Sequence, residues 1–310
     1  MKQIKHVAII GMGALGLLYG QQIQDALGQE AVSFVMDEER FARNKEKVYC
    51  INGKVVEFNV TCVSGAKPVD LVIVATKSTG LESALDVMVP VVGEDTIIIS
   101  VLNGISSEGI IAERFGAERV LGCVAIGMDA MREGSNLQYC NKGRLQVGTL
   151  VDGQEEMLNR VMAFFEQIGQ AYEVKKDIMQ AMWSKFLLNV GVNQTCMVYE
   201  TTYAGVLQEG EARVQMLGAM QEVLAVGQAE GIVICEADLQ RALMITGGLK
   251  PDGYPSMRQD AIAHRASEVE LFAGTIMKLA AKHGIPVPVN SFYYEKIKQM
   301  EETYIQLDVY

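Results

Sequence analysis

A lysine and two asparagines recur at helical spacing in the second half of the chain. Lys185, Asn189 and Asn193 are spaced i, i+4 and i+8 in a segment predicted to be helical from about residue 178 to 196, so they should share one face. The residues between them are almost all apolar, which is typical of a buried helix. Buried polar groups need partners, and we therefore favour a site. The structural alternative is that the asparagines bond nearby backbone and Lys185 extends to water.

A second candidate group lies in a helix of about 26 residues predicted to begin at Ser256 and run to residue 283. Its first four residues match a capping box, which explains Ser256 structurally. Glu268 stands among apolar residues, with His264 one turn before it. A surface carboxylate is the alternative for Glu268, and the sequence alone does not bring Glu268 to Lys185.

The first sixteen residues have the pattern of a phosphate-binding turn. Four apolar residues, 7–10, predict a buried strand, and Gly-Met-Gly-Ala-Leu-Gly follows directly. In such a motif the first glycine permits a tight turn, the second lets a pyrophosphate approach, and the third lets the helix pack on the strand. The helix predicted over Ala14–Leu27 would present its N–H groups and dipole to the phosphates. The predicted cofactor-binding residues here are Gly11, Met12, Gly13, Ala14, Leu15 and Gly16.

The second predicted strand ends at Asp37, where the side chain influences cofactor choice. An acidic residue there accepts hydrogen bonds from the ribose diol of NAD, whereas a nearby arginine accommodates the 2′-phosphate of NADP. Asp37 favours NAD, and Arg40, three residues later, could serve NADP. A solvated helix start is the structural alternative, and the sequence leaves the choice open.

Two polar side chains follow predicted buried strands at residues 70–75 and 96–101. Ligands of open α/β sheets bind beyond the carboxyl ends of the strands. We therefore expect Lys77 and Asn103 to lie near a cofactor or substrate, with a loop side chain facing water as the alternative for each.

The order of the remaining elements predicts two domains. A hairpin is expected around Asn52-Gly53, and residues 137–140 and 144–147 are expected to pair around a turn at 141–143. Beyond residue 176 the chain has helical periodicity and almost no strand signal. The fold class is therefore α/β, with a Rossmann dinucleotide-binding domain over residues 1–176 and an all-α substrate and dimerisation domain over 177–310.

Composition narrows the classes of partner. The chain has 310 residues and a formal net charge of −11, which argues against nucleic acid and anionic membrane as partners. No apolar run approaches the ~20 residues of a membrane span. Six cysteines are scattered without metal-ligand spacing, so we expect neither disulfides nor a bound metal, and a cytoplasmic location.

Taken together, these motifs resemble those of the ketopantoate reductase (2-dehydropantoate 2-reductase) family, over nearly the whole chain. The glycine motif is shared by many dehydrogenases, whereas the Lys185 helix combined with Ser256 and, twelve residues later, Glu268 is more specific. The resemblance implies a Rossmann domain followed by a helical domain of the 6-phosphogluconate-dehydrogenase type. It also implies NADPH-dependent reduction of 2-dehydropantoate to (R)-pantoate in pantothenate biosynthesis.

The resemblance also implies residue roles. Lys185 matches the catalytic lysine that donates to the ketone oxygen, and a lysine with its ordinary pKa of about 10.4 is protonated at neutral pH. Glu268, the second residue expected to be catalytic, matches the glutamate that binds the substrate hydroxyl and lies near that lysine. The other matches are Asn189 and Asn193, which orient substrate and lysine; Ser256, which helps to hold the carboxylate; and Lys77 and Asn103, which line the cofactor and substrate side.

Three positions depart from the family pattern. Asp37 stands where an arginine is usual, so NAD is a second cofactor to consider unless Arg40 replaces that arginine. Gly253 and the segment Tyr203–Gly205 stand where the family has asparagines. Both lost groups would lie around the substrate, so a pocket for a different 2-oxo acid is the alternative to one for ketopantoate.

The sequence thus predicts a cytoplasmic NAD(P)H-dependent reductase of a small-molecule 2-oxo acid, with ketopantoate as first choice. A homodimer is compatible with the apolar helix faces. The alternatives are a reductase of another small 2-oxo acid, of the 2-hydroxyacid or β-hydroxyacid dehydrogenase type, and a non-catalytic dinucleotide-sensing protein.

Overall fold

The computed structural model describes the backbone of residues 2–307 and the side chains of residues 2–304. By their internal contacts these residues form two compact units. The first unit takes in the chain up to Asn103 together with Ser107–Met179, and the second takes in Gly104–Ser106 and the chain from Gln180. The division lies three residues beyond the boundary expected after residue 176, and the separate roles of the two domains stay a prediction.

The first unit alternates strands and helices. Its strands are β1 (Val7–Ile10), β2 (Val32–Met36), β3 (Tyr49–Ile51), β4 (Lys54–Val56), β5 (Val60–Cys62), β6 (Leu71–Val74), β7 (Ile97–Ser100), β8 (Val120–Met128), β9 (Met131–Glu133), β10 (Asn136–Gln138), β11 (Lys142–Gly148) and β12 (Tyr172–Val174). Its helices are α1 (Ala14–Leu27), α2 (Glu38–Asn44), α3 (Leu81–Met88), α4 (Ser107–Phe115) and α5 (Glu155–Gln167). Short 3₁₀ turns cover Gln29–Ala31, Val63–Gly65, Ser78–Gly80 and Ala117–Arg119.

Eight of the described strands form one sheet in the order β12-β11-β8-β7-β6-β1-β2-β5. The six strands from β8 to β5 in that order run parallel, while β11 is antiparallel to β8. All four residues of β1, and likewise of β6 and β7, are buried. Continuous burial follows from helices covering both faces of a parallel sheet. The predicted Rossmann-type α/β fold is confirmed.

The predicted hairpin at Asn52-Gly53 is confirmed, with shorter arms. Tyr49 pairs antiparallel with Val56, and Asn52 and Gly53 have φ of +48° and +80°, the positive values that a type I′ turn requires. The second arm was expected over residues 55–60, but its last residue, Val60, instead begins β5 at the edge of the large sheet.

The antiparallel pair predicted around residues 141–143 is wrong. Residues 136–138 form β10, which joins a four-stranded sheet of order β4-β3-β10-β9, whereas Lys142 pairs with Met128 as β11 joins β8. The Asp129 carboxylate accepts the N–H groups of Cys140 and Asn141 at 2.9 and 2.7 Å. This bond pattern holds the connection next to β8 and separates β10 from β11.

The second unit is helical in its described part. Its helices are α6 (Ile178–Leu188, which begins in the first unit), α7 (Gln194–Val198), α8 (Glu211–Ala229), α9 (Glu236–Gly247), α10 (Ser256–Ile262), α11 (Thr275–His283) and α12 (Pro288–Leu307). Two π-helical segments, Asn189–Asn193 and Glu270–Gly274, precede α7 and α11, and Gly205–Leu207 is a 3₁₀ turn.

The single helix predicted from residue 256 to 283 is wrong, because the chain breaks after α10. His264 has a φ of +50°, and the Arg265 N–H donates to the Asp260 carbonyl oxygen at 2.8 Å. The Asp260 carboxylate also accepts Arg265 Nε at 2.7 Å. These bonds close the end of α10, so His264 lies in the break and not one helical turn before Glu268.

None of the helices between residues 2 and 307 combines the length and apolar character that a membrane crossing requires.

Candidate active site

The glycine-rich turn between β1 and α1 has the close contacts that its motif predicts. Gly11 has a φ of +109°, and a Cβ atom there would lie 2.6 Å from the carbonyl oxygen of Ala75. At Gly16 a Cβ would lie 2.1 Å from the carbonyl oxygen of Gly11. Both neighbours are backbone atoms, so neither position accommodates a side chain without a backbone shift.

The space around Gly13 is more open than that around Gly11 and Gly16. It is the N-cap of α1, in an extended conformation with no side-chain cap, and the first turn of α1 carries no acidic residue. A Cβ at Gly13 would meet only the Ala75 carbonyl oxygen, at 3.6 Å. An N-terminus without a side-chain cap or a nearby negative charge suits an anion, since its N–H groups and dipole attract one. The turn therefore fits the pyrophosphate of a dinucleotide.

Asp37 and Arg40 lie together at the end of β2. Asp37 is the N-cap of α2 and its Oδ1 accepts the Arg40 N–H at 2.7 Å. The Arg40 Nε lies 3.4 Å from Asp37 Oδ2. Both side chains are partly exposed, so an acceptor for a ribose diol and a cation for a phosphate lie at the same place.

Lys77 and Asn103 follow adjacent parallel strands. Lys77 is exposed after β6, and Asn103 is half-buried after β7. Because β1, β6 and β7 are parallel neighbours, their carboxyl ends meet at one edge of the sheet. The structure thus brings Lys77, Asn103 and the glycine-rich turn to the same edge within the first unit.

Arg132 at this edge could not be found from the sequence. It lies on β9, 120 residues from the turn, and its Nη1 donates to the carbonyl oxygen of Met12. Its guanidinium carbon lies 5.7 Å from the centre of the Tyr49 ring, and the Tyr49 hydroxyl contacts the Met12 sulfur at 3.6 Å. Arg132 thus adds a positive charge beside the candidate phosphate-binding turn.

Lys185, Asn189 and Asn193 lie on one helical run, but not on a regular α-helix. Lys185 is in the last turn of α6, and the two asparagines are the first and last residues of a π-helical segment. The wider π turn changes their relative directions from those that the i, i+4 spacing predicts. π turns inside helices occur frequently at functional sites.

Asn189 and Asn193 are each only 6% exposed. Among the side chains of residues 2–304, the structure shows no hydrogen bond from either carboxamide to another protein group. Among the described side chains, the amide atoms of Asn189 and Asn193 are not fully buried unpaired atoms, so they remain accessible from an open space beside the helix and can bind a polar group there. A polar ligand would supply the missing partners.

Glu268 begins the segment that leads to α11. Its carbonyl oxygen accepts the Phe272 N–H at 3.1 Å, and its side chain is partly buried. Ser267, just before it, accepts the Val269 N–H at its Oγ at 3.2 Å. Ser267 and Glu270 have the spacing of a capping box in the sequence, but the capping-box bonds are not those observed, because the Glu270 carboxylate accepts the Tyr294 hydroxyl at 2.7 Å.

Ser256 is placed differently from its prediction as a helix cap. Pro255 is the N-cap of α10, and Ser256 is its first helical residue and exposed. The reason is that a proline fixes the extended entry to the helix and leaves the serine one position too late. Helix α10 packs against α7 and the first π-helical segment.

Two loops of the second unit pair at the positions where the sequence departs from the family pattern. The Tyr203 N–H donates to the Gly253 carbonyl oxygen at 2.9 Å, and the Ala204 N–H donates to that of Pro251 at 3.0 Å. A Cβ at Gly253 would lie 3.4 Å from the Tyr203 ring. Burial raises the pKa of the Tyr203 hydroxyl to about 12. The aromatic ring therefore lies beside the place that a side chain at residue 253 would occupy.

Comparison with known proteins gives a consistent family. The family model described as Ketopantoate reductase PanE/ApbA matches residues 7–152, and the model of the family's C-terminal part matches residues 177–301. The 2-dehydropantoate 2-reductase of Aquifex aeolicus is 26% identical over 305 residues, which cover 94% of this chain and 96% of that protein.

Solved structures agree on the fold. A D-mandelate dehydrogenase with NADH and anilino(oxo)acetate superposes with a TM-score of 0.85 at 23% identity, over 96% of this chain and 99% of that one. The 2-dehydropantoate 2-reductase of Geobacter metallireducens GS-15 gives a TM-score of 0.81 at 26% identity, over 95% and 99% of the two chains. This chain belongs to the ketopantoate reductase family.

Proposed function

We propose that this protein reduces 2-dehydropantoate (ketopantoate) to (R)-pantoate with NADPH. The observation that carries the proposal is the pair of nearly buried carboxamides without protein partners, Asn189 and Asn193, on the helical run of Lys185. The family and the match to 2-dehydropantoate 2-reductases over nearly the full chain support the same reaction. A protein that only senses a dinucleotide has no need for such a polar stripe.

Lys185 is the proposed catalytic acid. Reduction of a ketone places negative charge on its oxygen, and an ammonium group held beside that oxygen stabilises the transition state more than the ground state. Lys185 then gives its proton to the oxygen, which becomes the product hydroxyl. A bound reduced nicotinamide would supply the hydride for the carbon.

The remaining polar residues have binding roles in this proposal. The Glu268 carboxylate accepts a hydrogen bond from the hydroxyl of the substrate. Asn189 and Asn193 hold the 2-oxo acid and orient Lys185. Ser256 and Asn103 complete the set of substrate contacts. These groups would act as hydrogen-bond partners rather than as further acids, because one proton donor suffices for the reaction.

The proposed cofactor contacts lie in the first unit. The turn from Gly11 to Gly16 would hold the pyrophosphate through backbone N–H groups, with Lys77 and Asn103 at the same sheet edge. Arg40 would contact the 2′-phosphate of NADPH, and Asp37 would accept the ribose hydroxyls of NADH. We therefore propose NADPH as the main cofactor, with NADH accepted because of Asp37.

A second substrate class is favoured by one observation, the packing of the Tyr203 ring beside Gly253. An aromatic ring next to a residue without a side chain provides an apolar surface and not an amide. As part of the proposed substrate site, this surface would suit a 2-oxo acid with a larger apolar substituent. This candidate keeps the same cofactor and the same role for Lys185.

We also propose a cytoplasmic homodimer. In the second unit the side chains of Val214, Met244 and Ile245 are exposed, and covering such apolar surface would stabilise a dimer. Light scattering on the purified protein distinguishes about twice the 33.9 kDa chain mass from the single value.

A substrate panel tests the reaction. NADPH and NADH oxidation would be followed with ketopantoate and with 2-oxo acids that carry branched or aromatic substituents. Highest kcat/KM with ketopantoate supports the first proposal, and highest kcat/KM with an aromatic 2-oxo acid supports the second. Cofactor binding without turnover of any 2-oxo acid would contradict both.

A further inference from the structure

The two π-helical segments of the second unit are in contact, and the second one leaves a backbone N–H without its helical acceptor. The Gly274 N–H donates to the Val269 carbonyl oxygen at 3.0 Å, an i to i−5 bond. In an α-helix that oxygen would accept from Ala273. The Ala273 N–H therefore needs another acceptor, because a buried donor without one is costly.

Gln194 provides that acceptor from the other helix. Its Oε1 accepts the Ala273 N–H at 3.2 Å, and its Nε2 donates to the Val190 carbonyl oxygen at 2.9 Å inside the first π-helical segment. Nε2 also contacts Asn290 Oδ1 at 3.3 Å. The neighbours determine the orientation of the amide, since Oε1 faces a donor and Nε2 faces two acceptors.

Gln194 is fully buried. A buried glutamine is unusual, because its amide must be satisfied on both sides. Here both sides are satisfied, one in each π-helical segment. The amide is thus a two-ended link between the helical run of Asn189 and Asn193 and the segment that begins at Glu268.

We propose that Gln194 is a positioning residue that fixes the helical run carrying Lys185, Asn189 and Asn193 relative to the segment carrying Glu268. The inference rests on the proposed function for the roles of these residues. It assigns Gln194 no contact with the substrate. Its effect on rate is indirect, through the placement of side chains whose displacement by about 1 Å can cost about 10²-fold.

Two variants of Gln194 distinguish the effect of its hydrogen bonds from the effect of its packing. Gln194→Met keeps the length of the side chain and removes all three hydrogen bonds, whereas Gln194→Glu keeps the acceptor for the Ala273 N–H and, when protonated, one donor towards the Val190 carbonyl oxygen. The matched control is Thr246→Val in α9, because Thr246 is also buried and its Oγ1 donates to the Ala242 carbonyl oxygen at 2.8 Å. Each variant would be measured for unfolding free energy, NADPH affinity, kcat/KM and amide hydrogen exchange.

We expect Gln194→Met to lower kcat/KM by about 10- to 100-fold with NADPH affinity unchanged. Amide exchange should rise in residues 189–193 and 269–274 together, and Gln194→Glu should recover part of the activity. Thr246→Val should lower the free energy of unfolding and leave kcat/KM and NADPH affinity unchanged.

Two results would overturn the inference. One is a Gln194→Met enzyme that loses stability as Thr246→Val does but keeps kcat/KM. The other is faster exchange in only one of the two segments. A wild-type protein inactive on every 2-oxo acid would contradict the proposed function instead, and the exchange result would still decide whether Gln194 links the segments.

Discussion

The Asp37 carboxylate accepts the Arg40 N–H at 2.7 Å and lies 3.4 Å from the Arg40 guanidinium. The two side chains that favour different cofactors are therefore already paired at the end of β2. A hydrogen bond to a charged group contributes about 1.5–3 kcal/mol, so we expect Arg40→Ala to raise the KM for NADPH by about 10-fold or more. The KM for NADH should change little.

Steady-state rates with both cofactors at saturating 2-oxo acid test this prediction. Arg43→Ala is the control, because Arg43 is exposed on the same helix and pairs with Glu39. An equal loss with NADH and NADPH would show that Arg40 acts on the fold of α2 and not on the 2′-phosphate.

Alanine substitutions at Gly13 and Gly16 of the glycine-rich turn should cause two different defects, one in cofactor binding and one in stability. In Gly13→Ala the methyl group has an ordinary contact of 3.6 Å, so the protein should fold but bind NADPH about 10-fold more weakly or worse, since the methyl group lies where the pyrophosphate approaches. In Gly16→Ala the 2.1 Å approach to Gly11 forces a backbone shift, which we expect to cost about 1–3 kcal/mol of stability.

Thermal unfolding and fluorescence titration with NADPH separate these effects. A Gly13→Ala protein that binds NADPH as the wild type does would rule out a pyrophosphate at this turn.

Alanine substitutions at Asn189 and Asn193 should affect substrate binding more than stability, whereas the same substitution at Asn290 should affect stability. Asn189→Ala and Asn193→Ala should cost less than about 1 kcal/mol, because no protein hydrogen bond is lost, while the KM for the 2-oxo acid rises about 10-fold. Asn290 is fully buried, and its Nδ2 donates to Glu222 Oε2 at 2.8 Å. Asn290→Ala should therefore cost about 2–3 kcal/mol of stability.

Urea unfolding and substrate saturation curves for the three variants give this comparison. If Asn189→Ala and Asn193→Ala destabilise the protein as much as Asn290→Ala and leave KM unchanged, both side chains are structural.

Glu230 gives a pH-dependent prediction for the second unit. Its Oε1 accepts a hydrogen bond from Lys282 Nζ at 2.9 Å and contacts His283 Nε2. These bonds hold the pKa of the Glu230 carboxyl below its ordinary value of 4.5. A carboxyl with a lowered pKa stabilises the fold above its unfolded-state pKa, and the effect disappears as pH falls through the folded-state value. Glu230→Gln should therefore be less stable than the wild type at pH 7, and the difference should vanish in acid.

Urea unfolding at several pH values from 7 to 3 measures this difference. Glu209→Gln serves as an exposed control on the same unit. A gap between wild type and Glu230→Gln that stays constant down to pH 3 would contradict the pairing.

Local signals predicted the first part of the fold well. Strand β1, the glycine turn and the bounds of α1 were all predicted, because a buried strand, a forced turn and a helix start are encoded in adjacent residues. The turn at Asn52-Gly53 was predicted for the same reason. The place of β10 was not, because its pairing with β3 depends on residues more than eighty positions apart.

Sequence-based prediction of the candidate site has the same limit, since contacts between distant residues leave no local pattern. The spacing of Lys185, Asn189 and Asn193 predicted a polar stripe, but a π turn is invisible to a pattern based on 3.6 residues per turn. The break at His264 was missed because the bonds between Arg265 and Asp260 that accompany it leave no trace in the helical periodicity. Arg132 reaches Met12 across the fold, which no sequence motif indicates.

The most direct test of the central claim is the kcat of Lys185→Ala with ketopantoate and NADPH. Loss of a proton donor and oxyanion partner lowers rates by about 10²-fold or more, and NADPH affinity should be unchanged. Lys278→Ala, an exposed lysine on α11, should retain full activity. A Lys185→Ala enzyme with the kcat of the wild type would contradict the proposed mechanism.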